Sequence, residues 1–445
     1  MKNLLKKKLV KVLSQRITIT IIILLILVGV SINLAIKGDL FGSAEKAVSG
    51  TNDKTAQEQT RVDELMGELD KVEKQQKEQE EAEKQKNLLG KRVTENTKYV
   101  SNGKTAWIPK GFTVSGIKSE QSIDNGLVIY DIPEGTTVDW TNPDSVKTKY
   151  NQFVWIPVEV KSSDTENSIA SFYRSEWTAN ESTGGERTNG LSTDYTEPDS
   201  TNDTADKTGI ANQIANLTKS IYKYGGFYIG RYEAGSKTPR TSSSGVTEIG
   251  IKQDMYPYNY VKWGDSMSSI GTTGAVYLSN SLYNTKEYGA TSMLCTGACW
   301  DSMLDFIKDS EHSVTDSTKW GNYSNSETFE ITRGAYAVYN NNTLGSFNNV
   351  GSKYSKMKDT SILLTTGATE RNCSKNIYDV AGNCFEWTTE SNSSSIRVFR
   401  GRRLRYRWFW LSSKRSWRHL SDGQQQYLFF PFCTLRSAVS LYAIK

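Results

Sequence analysis

Histidine is almost missing from this 445-residue chain, which holds only His312 and His419. That scarcity argues against a histidine-built metal centre and against a His-dependent nucleophilic triad. Five cysteines are present and none forms a CxxC pair, which argues against zinc. Proline is scarce at 8, and charge of one sign is too: Lys+Arg 54 against Asp+Glu 49 leaves only +5. The small excess is concentrated in the first sixteen residues and in 397–418. What the chain has in plenty is Tyr (23) and Trp (11), together with Gly, Ser, Thr and Asn. That mixture suits a loop-rich fold containing β-structure, with an adhesive surface. The length points to a folded domain plus appendages.

Residues 1–16 form a basic leader with Lys2, Lys6, Lys7, Lys8, Lys11 and Arg16. From Ile17 to Ile36, ITITIIILLILVGVSINLAI, twenty residues carry no charge. At about 1.5 Å per residue such a helix crosses a hydrocarbon core of about 30 Å. A secretory signal has a shorter apolar core of roughly 7–15 residues. Asn33, Lys37 and Asp39 also stand where a small-x-small cleavage site would be. The expectation is a retained single-pass anchor in a cell membrane, with a cytoplasmic N-terminus and the rest outside. This stretch resembles the N-terminal helix of pilin-like proteins of Gram-positive bacteria. It departs from them in having Ser14-Gln15-Arg16 at the usual peptidase site and no glutamate five residues into the helix.

Residues 37–94 read as a helical stalk. Residues 55–86 are dense in Glu, Gln and Lys, lack Pro, and place many opposite charges at i, i+4. Val62, Leu65, Leu69 and Val72 follow a and d spacing, but Gln76 and Gln79 continue it. A solvated spacer helix fits that pattern better than an oligomerising zipper, and Leu89-Gly90 ends it. From 95 to 445 the chain turns to short runs broken by Gly, Asn, Asp and Ser. Strands are expected over 105–117, 126–132, 152–160 and, most clearly, 225–234 (GGFYIGRYEA). Residues 162–212 form a polar insertion with local helix near 210–220. Helices are expected over 274–284 and from about Thr296 to 308, and Trp263 is expected to be buried. The mixture indicates an α+β domain. Glu233, closing the clearest strand, reads as a paired structural carboxylate before a reactive one.

Read in order, QFVWIPV, GGFYIGRYEAG, YNYVKWGDSM, MLCTGACWDSML and NIYDVAGNCFEWTTE followed by RVFRG resemble the formylglycine-generating enzyme/sulfatase-modifying-factor superfamily. The resemblance covers roughly 153–445 and implies a variant of the C-type lectin fold. Its most specific part is Asp379, Gly382, Asn383, Glu386 and Trp387, with Trp263 as a further structural position. Catalytic members of that family use a cysteine pair, with copper, shortly after an RGG motif. Here Arg400-Gly401 is followed by RRLRYRWFWLSSKR, with no cysteine before Cys433. No catalytic residue and no redox cofactor are therefore expected. The family also implies calcium, held by the carbonyls of Ala381, Gly382 and Cys384 and by the Glu386 carboxylate. The other reading of Glu386 is that it accepts backbone hydrogen bonds. Cys373 and Cys384 flank the turn and could bridge in an oxidising exterior, and Cys295 and Cys299 are i, i+4 neighbours. Free buried thiols fit these four equally well, and Cys433 is left over.

The segment 397–417, RVFRGRRLRYRWFWLSSKRSW, mixes basic and aromatic side chains as binding hot spots do. Arg405, Tyr406, Trp408, Trp410, Arg415 and Trp417 are its candidate ligand-contacting residues. The alternative is that some of the aromatics are core with Arg stems packed over them. An outward-facing domain argues against nucleic acid, so the expected partner is an extracellular protein or glycan. The order of anchor, stalk and lectin-like domain without catalytic cysteines is similar to variable proteins of diversity-generating retroelements. In those, the C-terminal stretch carries the variable ligand contacts. Two departures stand against that match: Arg402 replaces the second Gly of RGG, and residues 434–439 keep only the Arg and apolar positions of a closing GFR-like strand. Either this end diverges or part of it is read in a shifted frame, in which case 402–426 would pack poorly. An adhesin-like surface module is the leading expectation. A pilin-like structural subunit is second, and a formylglycine-generating-type oxidase third.

Overall fold

The computed structural model describes residues 48–188, 197, 209–242, 249–265, 270–340, 343–393, 396–401, 415–418, 436–437 and 439–443. Two compact units are present, residues 1–80 and 81–445. The expected membrane segment 17–36 lies outside the described residues. Among those, no helix is long and apolar enough to cross a membrane. The helix expected over 55–86 runs as α1, Val48–Leu88. It stops where Gly90 takes φ +69, beyond Leu88 and Leu89, which pack on the core of the second unit.

The second unit is mixed helix and sheet. A six-stranded antiparallel sheet forms its centre, built from β1 (Thr113–Val114), β2 (Val128–Tyr130), β3 (Gln152–Pro157), β4 (Gly226–Gly230), β5 (Ala290–Leu294) and β10 (Val439–Ala443). The order across it is β5-β10-β4-β3-β2-β1. The chain's last strand is thus an inner strand, paired with Ala290–Leu294 on one side and with Tyr228 and Ile229 on the other.

Side chains alternate across this sheet, and both faces are covered. On one face Ile129, Phe153, Trp155 and Tyr228 pack with Ala275, Val276 and Leu278 of α4 (Gly274–Ser281). On the other, Val128, Val154, Ile156, Phe227 and Ile229 pack with Leu217 and Ile221 of α3 (Ile210–Tyr224). Trp300, Met303, Leu304 and Ile307 of α5 (Gly297–Ile307) complete that layer. Burial on both faces explains why QFVWIPV and GGFYIG read as nearly unbroken apolar runs. A short helix α2 (Pro143–Lys149), capped by the Asn142 side chain, precedes β3.

A second, four-stranded sheet carries the candidate site: β6 (Glu386–Ser393), β7 (Ile396–Arg400), β8 (Arg415–Arg418) and β9 (Arg436–Ser437), in the order β8-β7-β6-β9. Three expectations change in detail. The strand expected over 105–117 is broken: Lys104–Ile108 pairs with Thr97–Ser101, and Gly111 at φ +89 turns the chain before Thr113. The helix expected near 210–220 continues to Tyr224, where Gly225 at φ 74 caps it by donating to the Ile221 carbonyl. The polar insertion expected over 162–212 contains a hairpin, Glu176–Thr178 with Glu186–Thr188. Residues 189–196 and 198–208 lie outside the described set.

Candidate functional site

Gly382 anchors the turn between residues 376 and 390. Its φ is +90, and a Cβ there would meet the Asn322 carbonyl oxygen at 2.3 Å. Only glycine allows that approach. Asn383, at φ 58, cross-links three segments from a buried position. Its Nδ2 donates to Glu233 Oε2 at 2.6 Å and to the Leu364 carbonyl at 3.2 Å, and its Oδ1 accepts from the Leu364 N–H at 2.9 Å. Asp379, at φ 63, accepts the Gly367 N–H at 2.7 Å, and burial pushes its carboxyl up to about 7. The indoles of Trp387 and Trp263 are also tied down. Trp387 donates to the Val261 carbonyl at 3.0 Å and Trp263 to the Thr388 carbonyl at 2.7 Å.

A cavity of some 10 Å³, about enough for one water molecule, lies beneath this turn. Tyr232, Glu233, Trp300, Tyr378 and Glu386 are among the residues lining it. Burial, and after it the charge of Asp379, raises the Glu386 carboxyl well above the usual range. The Ala381 carbonyl already accepts the Asn322 N–H at 2.9 Å. Among the described residues no group of three or more His, Cys, Asp or Glu could hold a metal ion. The expected calcium set therefore shares its Ala381 carbonyl with a backbone hydrogen bond and includes one side-chain carboxylate, Glu386.

The strongest electrostatic feature lies one strand away. Arg400, at the end of β7, is wholly buried and grips Glu390 of β6 with two bonds, Nε to Oε2 at 2.6 Å and Nη2 to Oε1 at 2.7 Å. Its other edge faces the Asp301 carboxylate of α5 at 3.5 Å. Arg174 reaches Glu390 Oε1 at 3.2 Å, and Thr388 donates to Oε2 at 3.0 Å. Asp301 in turn accepts the Ser175 N–H at 2.7 Å and the Trp177 indole N–H at 3.2 Å. Burial alone would raise the Glu390 carboxyl, but the Arg400 charge and bonds outweigh it and hold the group at about 2. Glu197, from the polar insertion, sits beside them at the α5 N-terminus. It accepts from the Gly297 N–H at 2.5 Å and from the Thr389 hydroxyl at 2.5 Å. Burial, then the neighbouring Glu390 charge, pushes it up to about 7. Gly297 has no room for a side chain, since a Cβ would meet the Glu390 carboxyl carbon at 2.3 Å.

This network joins β6, β7, α5 and the insertion through charge-assisted bonds. Cys295 and Cys299 are free and buried. Burial, then the hydrogen bond with Cys299, raises the Cys295 thiol well above its usual range, so it is not a ready thiolate. Cys373 is also a free thiol, so of the two readings left open for Cys373 and Cys384 the bridge between them does not form, although Cys384 is itself disulfide-bonded.

Of the expected ligand contacts, Arg405, Tyr406, Trp408 and Trp410 lie outside the described residues. The backbones of Arg415 and Trp417 lie in β8, opposite Phe399 and Arg397 of β7. Glu390, Asp301, Arg174 and Glu197 do not stand out as a set in the sequence. One signal was available: Asp301 is a carboxylate on the buried apolar face of α5, where an unpaired charge is not tolerated, whereas Asp305 of the same helix is exposed. Compared with family models, curated proteins and solved structures, the chain finds no match.

Proposed function

We propose that the chain is a surface module, held at a bacterial membrane by residues 17–36, that binds an extracellular protein or glycan through the segment 402–417. In this reading the second unit is the C-type-lectin-like domain of the formylglycine-generating-enzyme superfamily, of the non-catalytic kind found in variable proteins of diversity-generating retroelements. The observation that carries it is the framing of that segment. Chain leaves β7 at Arg400, whose side chain is locked by Glu390 and Asp301, and returns as β8 in register beside the same strand. Both ends of 402–414 are thereby attached to a rigid sheet, the arrangement that lets a loop change sequence while its scaffold stays fixed. The sequence of the loop, rich in Arg, Trp and Tyr, supplies hot-spot chemistry. No cysteine follows Arg400-Gly401 before Cys433, so the oxidase chemistry of catalytic relatives has no sulfur to work with.

The test is a binding screen of the full chain, in detergent micelles, against arrayed glycans and cell-surface proteins. Tyr406→Ala, Trp408→Ala and Trp410→Ala are expected to lower binding at least tenfold, about 1.4 kcal/mol or more, while leaving the thermal midpoint in place. Unchanged binding in all three variants would remove the assignment. A reverse transcriptase gene beside a near-copy of the codons for this segment would support the variable-protein reading directly.

A further inference from the structure

The described part of the molecule buries several arginines, and it treats one of them differently. Arg400 has Glu390 and Asp301, and Arg231 has Glu120 at 2.7 Å. Arg397, in the middle of β7, is 3% exposed, and its Nε and Nη1 are shut away from solvent without an acceptor. No carboxylate among the described residues pairs with it. Burial is the one influence on its charge, bringing it down to about 10, so it is still a cation at neutral pH. What it has is an aromatic platform: the guanidinium carbon lies 4.1 Å from the Trp263 ring centre. The Trp263 indole is itself fixed by its bond to the Thr388 carbonyl. A buried charge without a counter-ion is costly and calls for a reason.

We infer that Arg397, stacked on Trp263, is the receptor for a carboxylate group of the ligand. Trp263 covers one face of the guanidinium, so its N–H edge is what remains for recognition. A planar carboxylate entering in the guanidinium plane makes two parallel charge-assisted bonds there. One guanidinium balances one monoanion, which favours a carboxylate over a dianionic phosphate. The position is apt as well. Arg397 lies on β7 opposite Trp417 of β8, on the strand from which the segment 402–414 departs. The inference rests on the surface-ligand reading and narrows it to acidic ligands, whether a uronate sugar or an acidic peptide side chain.

The experiment uses the full chain in detergent micelles, with arginine Nε–H resonances followed by NMR and that of Arg397 assigned by its loss in Arg397→Lys. Sodium acetate, sodium glucuronate and an acetylated Glu-containing tripeptide are titrated in turn, with sodium phosphate and sodium chloride as controls. Expected is a saturable shift of the Arg397 resonance with the carboxylates and none with chloride, accompanied by a rise in thermal midpoint. Arg397→Met keeps the stem over Trp263 and is expected to lose the carboxylate-dependent rise while folding at least as well in carboxylate-free buffer. Glucuronate binding more tightly than the tripeptide would name a sugar source, and the reverse a peptide source. Absence of a saturable shift, an equal response to chloride, or a response to phosphate alone overturns the inference. Because these probes do not require the natural ligand, such a failure leaves the surface-ligand reading standing. Conversely, unchanged array binding in Tyr406→Ala, Trp408→Ala and Trp410→Ala with an intact acetate response would count against that reading alone.

Discussion

At the scale of single residues, two carboxylates of one buried network respond to pH in opposite senses. Glu390 is held at about 2, below its ordinary 4.5, because the Arg400 charge, and then its two bonds, favour the carboxylate strongly enough to outweigh burial. A depressed value in the folded state means stability that is complete above about 4.5 and drains away as pH falls towards 2, on the order of 3 kcal/mol in all. Glu197 is pushed up to about 7, so its contribution is complete below about 4.5 and is lost as pH rises through 7. The expected outcome is a denaturation free energy that peaks in mildly acidic buffer and declines on both sides. Glu197→Gln should lessen the alkaline decline, to which the raised carboxyls of Asp379 and Glu386 also contribute, and leave the acid limb alone. Glu390→Gln should flatten the acid limb and cost about 3–5 kcal/mol at neutral pH, since it breaks the closest pair Arg400 has. Urea titrations across the pH range read both effects. An alkaline limb unchanged in Glu197→Gln would show that Glu197 does not sit at the Gly297 N–H in solution.

At the scale of elements, the closing strand matters out of proportion to its place at the end of the chain. β10 is hydrogen-bonded between β5 and β4, so a chain stopped after residue 438 loses an inner strand and leaves two unpaired edges. That truncation is expected to abolish cooperative unfolding and drive the protein into aggregates. A chain stopped after residue 443 should behave as the parent, as circular dichroism and sedimentation would show. The sequence was legible where local chemistry dictates structure. Gly225 beyond a helix, Thr296 before one, and the apolar runs of β3 and β4 all sit where short-range rules put them. The Thr296 hydroxyl accepts the Cys299 N–H at 3.0 Å, the expected office of such a cap. It was not legible where partners lie far apart in the chain. Arg400 meets Asp301, Arg174 meets Glu390 and Arg231 meets Glu120 across separations that no spacing rule encodes. The 105–117 strand failed for a third reason: its apolar residues continue across Gly111, whose positive φ forbids one straight strand.

At the scale of the whole molecule, the two units differ in what holds them up. The second unit has cores on both faces of its central sheet, with Trp155, Trp300, Phe153 and Phe227 among its largest buried side chains, each contributing about 1.5–3 kcal/mol by leaving water. The described helix of the first unit has none of this. Val62, Leu65, Met66 and Val72 are 50%, 65%, 55% and 48% exposed, and what the sequence adds is opposite charges at i, i+4 such as Asp70 with Lys74 and Glu80 with Lys84. Most helical stability in proteins comes from tertiary packing of an apolar face, which this helix lacks over those residues. The fragment 81–445 is therefore expected to unfold within about 2 °C of the full chain, since even 1 kcal/mol would move the midpoint of a protein this size by a few degrees. A peptide covering 48–80 should show only partial helicity by circular dichroism, falling with temperature without a cooperative step. Fractionation adds the matching result for residues 17–36: the full chain should sediment with membranes after a high-salt wash, and 81–445 should not. If the fragment melted more than about 5 °C below the full chain, the first unit would be part of the fold, not a spacer before it.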